Sequence, residues 1–240
     1  MFRTETCLQH RTPVKRVSKI MKSGAEIMSQ PTQAYLPAAG HDWLLPLYDP
    51  CVKLLGGEAA HGALIEQAAP ESGQRVLEVG CGTGTLAVRT KRLLADVAVV
   101  GLDPDPKALA RARRKTARAG VSVQFDLGFG DALPYPEASF DRVLSAFMYH
   151  HLPTEVKGKF LREVRRVLKP GGSFHMLDFE QTGGGVHHFL ARLLHTSHRL
   201  EDNSEDRVLG LMSTAGFVKT NKVGRRTMLV GRVAYYRASP

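Results

Sequence analysis

Cysteine is scarce in this 240-residue chain: Cys7, Cys51 and Cys81 are too few and too scattered for a disulfide framework or a zinc site. Their scarcity points to a reducing compartment, with the cytoplasm as the expected location. Long apolar runs are missing too. None approaches the roughly 18 residues that a membrane-spanning helix needs, so no transmembrane segment is expected. Repeats and low-complexity tracts are absent. Aromatic residues do not interleave the basic runs, as stacking platforms for single-stranded nucleic acid would require.

Positive charge is abundant. Lys and Arg number 33 against 23 Asp and Glu, a formal net charge of +10. The basic residues fall into four separate clusters, 3–22, 107–118, 157–169 and 219–237. Two of them, Arg111, Arg113, Arg114, Lys115 and Arg118 in one and Lys159, Arg162, Arg165 and Arg166 in the other, lie on helical patterns and read as solvated outer faces. Charge spread in this way disfavours nucleic acid as a partner and leaves room for an anionic substrate or a peripheral membrane contact. The first 32 residues, basic and poor in acids, lack the apolar core of a secretory signal. They read as a flexible extension, with a transit peptide or a natural start at Met28 as other readings.

With 43% hydrophobic residues, the rest of the chain suits one α/β domain over 33–240. Helical and strand patterns alternate from about residue 42, as in a parallel sheet covered on both faces. Helix is expected over 43–68, broken at Gly56-Gly57. Strands are expected at 75–79, 98–103, 121–127, 140–147 and 173–179, with helices over 85–95, from Pro106, and over 154–168, the last stopped by Lys169-Pro-Gly-Gly172. A helical segment at 187–198, a helix at 204–215 and two strands, 217–223 and 228–237, complete the pattern. With no helix between them, the last two strands form an antiparallel hairpin. The expected fold is therefore a doubly wound, Rossmann-like α/β domain with a mostly parallel seven-stranded sheet that ends in an antiparallel hairpin. Within this domain, 33–70 is expected as an N-terminal helical cap and 181–215 as an inserted helical cap.

The chemistry concentrates at Gly80-Cys81-Gly82-Thr83-Gly84, between a buried strand and a helix. Glycines at alternate positions let the backbone pass close to a ligand, and the amides of the helix N-terminus favour an anionic group. The dinucleotide fingerprint would need glycine at 85 or 87; those positions hold Thr85 and Ala87. Asp103 closes the next strand, where an acid can accept hydrogen bonds from both hydroxyls of a ribose. N-capping of the following helix is its competing role, better suited to Asp105.

Val76-Leu-Glu-Val-Gly-Cys-Gly-Thr-Gly84 resembles the first motif of class I S-adenosylmethionine-dependent methyltransferases, and Val100-Gly-Leu-Asp-Pro104 the second. Gly130-Asp-Ala-Leu-Pro134, Ser139-Phe-Asp-Arg-Val143 with the strand leading to His150-His151, and 161–172 resemble the later motifs. The resemblance is nearest to the type-11 group, which contains ubiquinone and menaquinone biosynthesis methyltransferases. It implies S-adenosylmethionine as cofactor and S-adenosylhomocysteine as product. By position it places Glu78, Gly80, Cys81, Gly82, Thr83 and Gly84 around the amino-acid end of the cofactor. Asp103 with Pro104 falls at the ribose, Gly130, Asp131 and Ala132 at the adenine, and Ser145 on the methyl-donor side. Cys81 is a small buried residue there, not a nucleophile. Tyr48 and Asp49 resemble a pair that closes over the cofactor, with Tyr35 and Trp43 nearby.

Methyl transfer from a sulfonium needs alignment more than acid–base chemistry, and a base matters only when the acceptor arrives protonated. His150 and His151 follow the fourth strand on the rim where such sheets bind ligands. His151 is the first choice for a substrate-side or base role, against a loop histidine that satisfies backbone groups. His187, His188, His195 and His198 lack acidic or cysteine partners at ligand spacing, so no metal site is expected and they read as part of an acceptor cap. The chain thus reads as a methyltransferase for a small-molecule or lipid-like acceptor. An RNA methyltransferase and a cofactor-binding partner protein without turnover are the alternatives.

Overall fold

The computed structural model describes residues 55–180, 203–229 and 231–240. The expectations for Cys7, Cys51, the N-terminal extension, Tyr35, Trp43, Tyr48, Asp49 and the four cap histidines lie outside them. Among the described residues the order is α1 (Gly57–Ala68), β1 (Arg75–Val79), α2 (Thr85–Leu93), β2 (Ala98–Asp103), α3 (Pro106–Ala119), β3 (Gln124–Leu127) and β4 (Phe140–Ala146). A 3-10 turn (Tyr149–His151), α4 (Thr154–Val167), β5 (Leu168–Phe179), α5 (Glu205–Thr214), β6 (Lys219–Met228) and β7 (Gly231–Ser239) follow.

The seven strands form one sheet in the order β3-β2-β1-β4-β5-β7-β6. Neighbours from β3 to β5 are parallel, and β7 is antiparallel to both β5 and β6. This is the doubly wound sheet with a terminal hairpin that the sequence predicts. Its strand order reverses between β1 and β4, and doubly wound sheets bind ligands beyond the carboxyl ends of the strands at such a point.

Local sequence accounts for the elements. β1 and β2 are buried on both faces after an exposed first residue, hence their near-continuous apolar composition. Pro106 suits the first turn of α3, and Asp105 caps that helix, its Oδ1 accepting from Lys107 N at 2.8 Å. Two apolar cores pack the sheet. Phe160, Leu161 and Val164 of α4 meet Phe174 and Tyr236, while Leu64 of α1 and Leu86 of α2 belong to the cluster of Val76, Val99 and Leu177. Phe160 is fully buried, and its burial contributes about 2 to 3 kcal/mol.

Three expectations need correction. β5 begins at Leu168, because Phe140 pairs with Leu168 before the register resumes at Arg142 and Ser173; Lys169-Pro-Gly-Gly172 bulges from the ladder without ending it. Lys169 Nζ meets Asp141 Oδ2 at 2.8 Å and holds the bulge. Similarly, β6 does not end at Val223: the ladder bulges there, Gly224 pairs with Tyr235, and the hairpin closes between Met228 and Gly231, whose φ of 136° suits glycine. Finally, the basic helices are not simply solvated. Arg113 donates to Phe125 O, Lys115 to Thr83 and Thr85, Arg165 to Gly216 O, and Arg166 to the carbonyls of Leu133 and Tyr135.

A buried histidine ties α1 to the sheet. Gln67 Nε2 donates to His175 Nδ1 and to Tyr236 O, both at 3.0 Å, and His175 Nε2 faces Ser173 Oγ at 2.8 Å. The neutral ring satisfies both contacts, whereas a proton on Nδ1 would confront the Gln67 amide. Burial, with the charges of Arg237 and Arg142, pushes its pKa down to about 3. The unfolded chain protonates near 6.5 while the folded one does not, so folding stability falls with pH below that value. Between pH 6.5 and 5 this one group removes about 1.5 kcal/mol. Thermal melts of His175→Gln across this range should show a correspondingly flatter pH dependence than the native chain; parallel curves would contradict this account.

Candidate active site

Gly80, Cys81, Gly82, Thr83 and Gly84 turn the chain from β1 into α2 at the sheet's reversal point. Gly80, Gly82 and Gly84 have φ values of 76°, 51° and 75°. A Cβ on Gly80 would stand 2.3 Å from Met148 Cγ, whereas one on Gly82 would meet nothing within 4 Å. The first glycine therefore lets the β4 loop close against the turn, and the second leaves open space before it.

The turn's amides are mostly engaged. Gly80 N and Cys81 N donate to Leu102 O, Gly84 N to Cys81 O, and Gly82 N to Asp103 Oδ2 at 2.7 Å. Carboxylates face the turn instead. Asp103, 9% exposed, also accepts from Asp105 N at 2.9 Å, and with Asp105 capping α3 it retains only its position beside the turn. Burial pushes its pKa up to about 6. Glu78 lies fully within the protein, and burial and then the nearby Asp103 raise its pKa well above the ordinary value. Its Oε2 has no hydrogen-bond partner among the described residues. Two buried acids side by side repel phosphate and favour a ligand that brings positive charge or hydroxyl donors. Cys81 is buried, and burial raises its thiol pKa, which fits a packing residue and not a nucleophile.

The other predicted residues arrive from neighbouring strands. Pro104 follows β2 directly. Gly130 packs so closely on β1 that a Cβ would stand 3.1 Å from Val79 and Phe160 side-chain atoms, and Asp131 and the exposed Ala132 follow. Glu163 Oε2 accepts from Leu133 N at 2.8 Å, while Arg166, paired with Glu163, donates to the carbonyls of Leu133 and Tyr135. A helix residue pair thus clamps the loop that carries Asp131. Ser145, near the end of β4, is fully buried with an unpartnered Oγ among the described residues.

Beyond β4 the backbone is strained at Phe147, a non-glycine residue with φ 55°. His150 then meets an acid that the sequence reading missed: Nδ1 lies 2.7 Å from Asp178 Oδ1, and both residues are buried. His151, half-buried, has its ring centroid 4.0 Å from that of His150. The hydrogen bond to Asp178 is made by His150, the residue next to the one favoured from sequence. An acid near the end of the strand beside the histidine-bearing one was the available signal.

Residues 76–172 match the model of a family described as methyltransferase domain. Over these residues the chain is similar to that domain. It is 35% identical over 153 residues to the demethylmenaquinone methyltransferase of Deinococcus radiodurans, covering 62% of this chain and 63% of that protein. It is 40% identical over 106 residues to the fatty-acid O-methyltransferase of Mycolicibacterium smegmatis, covering 44% and 37%. The crystal structure of the YcgJ protein from Bacillus subtilis superposes with a TM-score of 0.59 at 26% identity, covering 70% of this chain and 72% of that one. The chain spans less than two thirds of the length of either curated relative. S-adenosylmethionine fits this rim: open space at Gly82, an unpartnered buried oxygen on Glu78 and two acids suited to a cationic, hydroxyl-bearing ligand.

Loss of the loop clamp has a local signature. Arg166→Ala releases two carbonyls and one partner of Glu163, which should lower global stability by about 1 to 2 kcal/mol. Amide exchange over 131–136 should rise more than elsewhere in the variant, as read by hydrogen-exchange mass spectrometry. Uniform exchange changes would argue against a clamp.

Proposed function

We propose that this protein transfers a methyl group from S-adenosylmethionine to a small-molecule or lipid-like acceptor. The observation that carries the reading is the pair of buried acids, Glu78 and Asp103, beside the open glycine turn at the strand-order reversal. Glu78 and the backbone of Gly80, Cys81, Gly82, Thr83 and Gly84 hold the amino-acid end, whose ammonium offsets the buried carboxylate. Asp103 takes the ribose hydroxyls, with Pro104 directing the chain away. Gly130, Asp131 and Ala132 bound the adenine. Ser145 stands on the methyl-donor side, and His151 on the acceptor side. The bound cofactor supplies an electrophilic methyl on a sulfonium, which leaves the chain to align the acceptor and exclude water. The curated relatives named for small molecules support an acceptor of that size. No helix among the described residues is long and apolar enough to cross a membrane.

Calorimetry with S-adenosylhomocysteine tests the donor half without an acceptor. An ionised Asp103 accepts hydroxyl donors on either oxygen; the protonated form gives up part of that capacity. Affinity should therefore be highest above about pH 6 and decline as pH falls through it. Asp103→Asn should bind at least about tenfold more weakly at pH 7.5 and show little dependence over that range. Turnover is tested with labelled S-adenosylmethionine and fractionated cell metabolites. Failure to bind either form of the cofactor would sink the reading; tight binding with no methylated product in any fraction would reduce the chain to a cofactor-binding partner.

A further inference from the structure

Positive charge is not shared evenly along the chain. Asp206 is the last acid, and from Arg207 to the C-terminus there are seven Lys and Arg and no Asp or Glu. Lys222 is neutralised internally, its Nζ lying 2.7 Å from Glu205 Oε2 and also meeting Glu180. Arg225, Arg226 and Arg232 are exposed and gather at the closed end of the β6–β7 hairpin, where Arg226 pairs with Val233 and Thr227 with Arg232. Among the described residues no acid pairs with Arg225 or Arg226, and Arg232 Nε is 3.9 Å from Glu180 Oε2. Leu229 follows at the turn and is 67% exposed, although Met228 beside it is buried. With Val218 and Val223, three of the five large apolar side chains exposed among the described residues belong to this one stretch.

The hairpin closes at the carboxyl end of the sheet. Phe179 pairs with Val233 and Glu180 N donates to Arg232 O at 3.0 Å, the last contacts of β5, whereas β6 and β7 stay paired on to Met228 and Gly231. The tip therefore projects past the strand end on the side where β1 passes into the glycine turn and β4 into Phe147. Edge strands commonly carry charge against unwanted pairing, but acids would serve equally, and that role does not put an exposed leucine at the turn. A single-stranded nucleic acid would be met by stacking rings, and Tyr235 and Tyr236 are buried. Cations around a protruding apolar residue match an anionic bilayer, whose headgroups take the arginines while its interface takes the leucine.

We propose that the β6–β7 tip docks the protein on an anionic lipid surface, with Arg225, Arg226 and Arg232 at the headgroups and Leu229 in the interface. The carboxyl-end rim then faces the bilayer. On the methyltransferase reading above, on which only this consequence rests, a lipid-like acceptor reaches the crevice without crossing water.

Co-sedimentation of the full chain with vesicles tests the docking. Binding should be strong to phosphatidylcholine vesicles that contain phosphatidylserine, absent with phosphatidylcholine alone, and lost at high salt. Each arginine near an anionic surface is worth roughly fivefold, so Arg225→Gln, Arg226→Gln and Arg232→Gln together should weaken binding by about a hundredfold. Lysine at the same three positions should retain it within about threefold. Removing equal charge from the exposed Arg92, Arg114 and Arg118 of α2 and α3 should cost less than about threefold. Leu229→Ser, which leaves the charge unchanged, should weaken binding by roughly tenfold. No binding to the phosphatidylserine vesicles, an equal loss from the α2 and α3 changes, or no effect of Leu229→Ser would overturn the docking surface. So would tip variants that weaken binding to single-stranded RNA while the native chain ignores vesicles. Affinity for S-adenosylhomocysteine should stay within about twofold in every tip variant, because the tip lies outside the cofactor turn. Failure of the native chain to bind that ligand would defeat the methyltransferase reading and leave the docking surface standing.

Discussion

Everything at the rim depends on one hydrogen bond, from Gly82 N–H to Asp103 Oδ2 at 2.7 Å. It joins the turn after β1 to the end of β2, two strands already locked in register from Arg75 and Ala98 to Val79 and Leu102. Because Asp103 accepts this amide and that of Asp105, the acid is fixed facing the turn. The same bond removes an amide that a phosphate would need. The turn is thereby flanked by acids, with Glu78, whose carboxyl pKa burial raises well above the ordinary value, as the second. Holding Asp103 ionised at pH 7 costs on the order of 3 kcal/mol in the absence of ligand, to be offset when hydroxyl donors and positive charge arrive. Surplus positive charge lies elsewhere in the chain, so the sign of the whole molecule says little about the sign of its site.

Much of this was legible in the chain. Arg75–Val79 and Ala98–Asp103 were predicted to the residue, because each is a short apolar run ending at a glycine turn or an acid. The terminal hairpin followed from two strands with no room for a helix between them. Where prediction failed, glycine had been read as an end. Gly171, Gly172 and Gly224 lie within strands here, absorbed by ladder irregularities that depend on partners distant in sequence, Phe140 and Asp141 in one case and Tyr235 in the other. No local pattern distinguishes a bulge from a turn when the deciding contact comes from another strand.

Side-chain partnerships were less legible still. Arg166 and Lys115 sit on helices whose charge pattern resembles a solvent-facing surface, yet they reach the backbone of the 133–135 loop and the hydroxyls of Thr83 and Thr85. Long stems let such residues cover apolar surface and deliver charge several ångströms away, so helical periodicity alone does not place their ends. Both support loops at the rim of the sheet, one beside Asp131 and one beside the glycine turn. Basic helices in this fold therefore act partly as scaffolding for an acidic crevice.

The partner of His150 was hidden for a related reason. His150 and Asp178 are 28 residues apart, with the whole of α4 between them, and nothing near either predicts the other. The parallel register does. Ser145 pairs with Met176 and Ala146 with Leu177, so whatever follows those residues must meet beyond the carboxyl ends of the two strands. On β5 the next residue is Asp178; on β4 the chain passes Phe147 and Met148 before the 3-10 turn brings His150 back. The turn of chain at Phe147, whose amide donates to Leu177 O at 2.9 Å, is what returns the histidine to the strand it would otherwise leave. Strand order sets the crevice between β1 and β4, and register with β5 sets which acid lines it. A parallel α/β sheet can thus bring a histidine and an acid together at its rim from two strand ends, one strand away from the glycine turn.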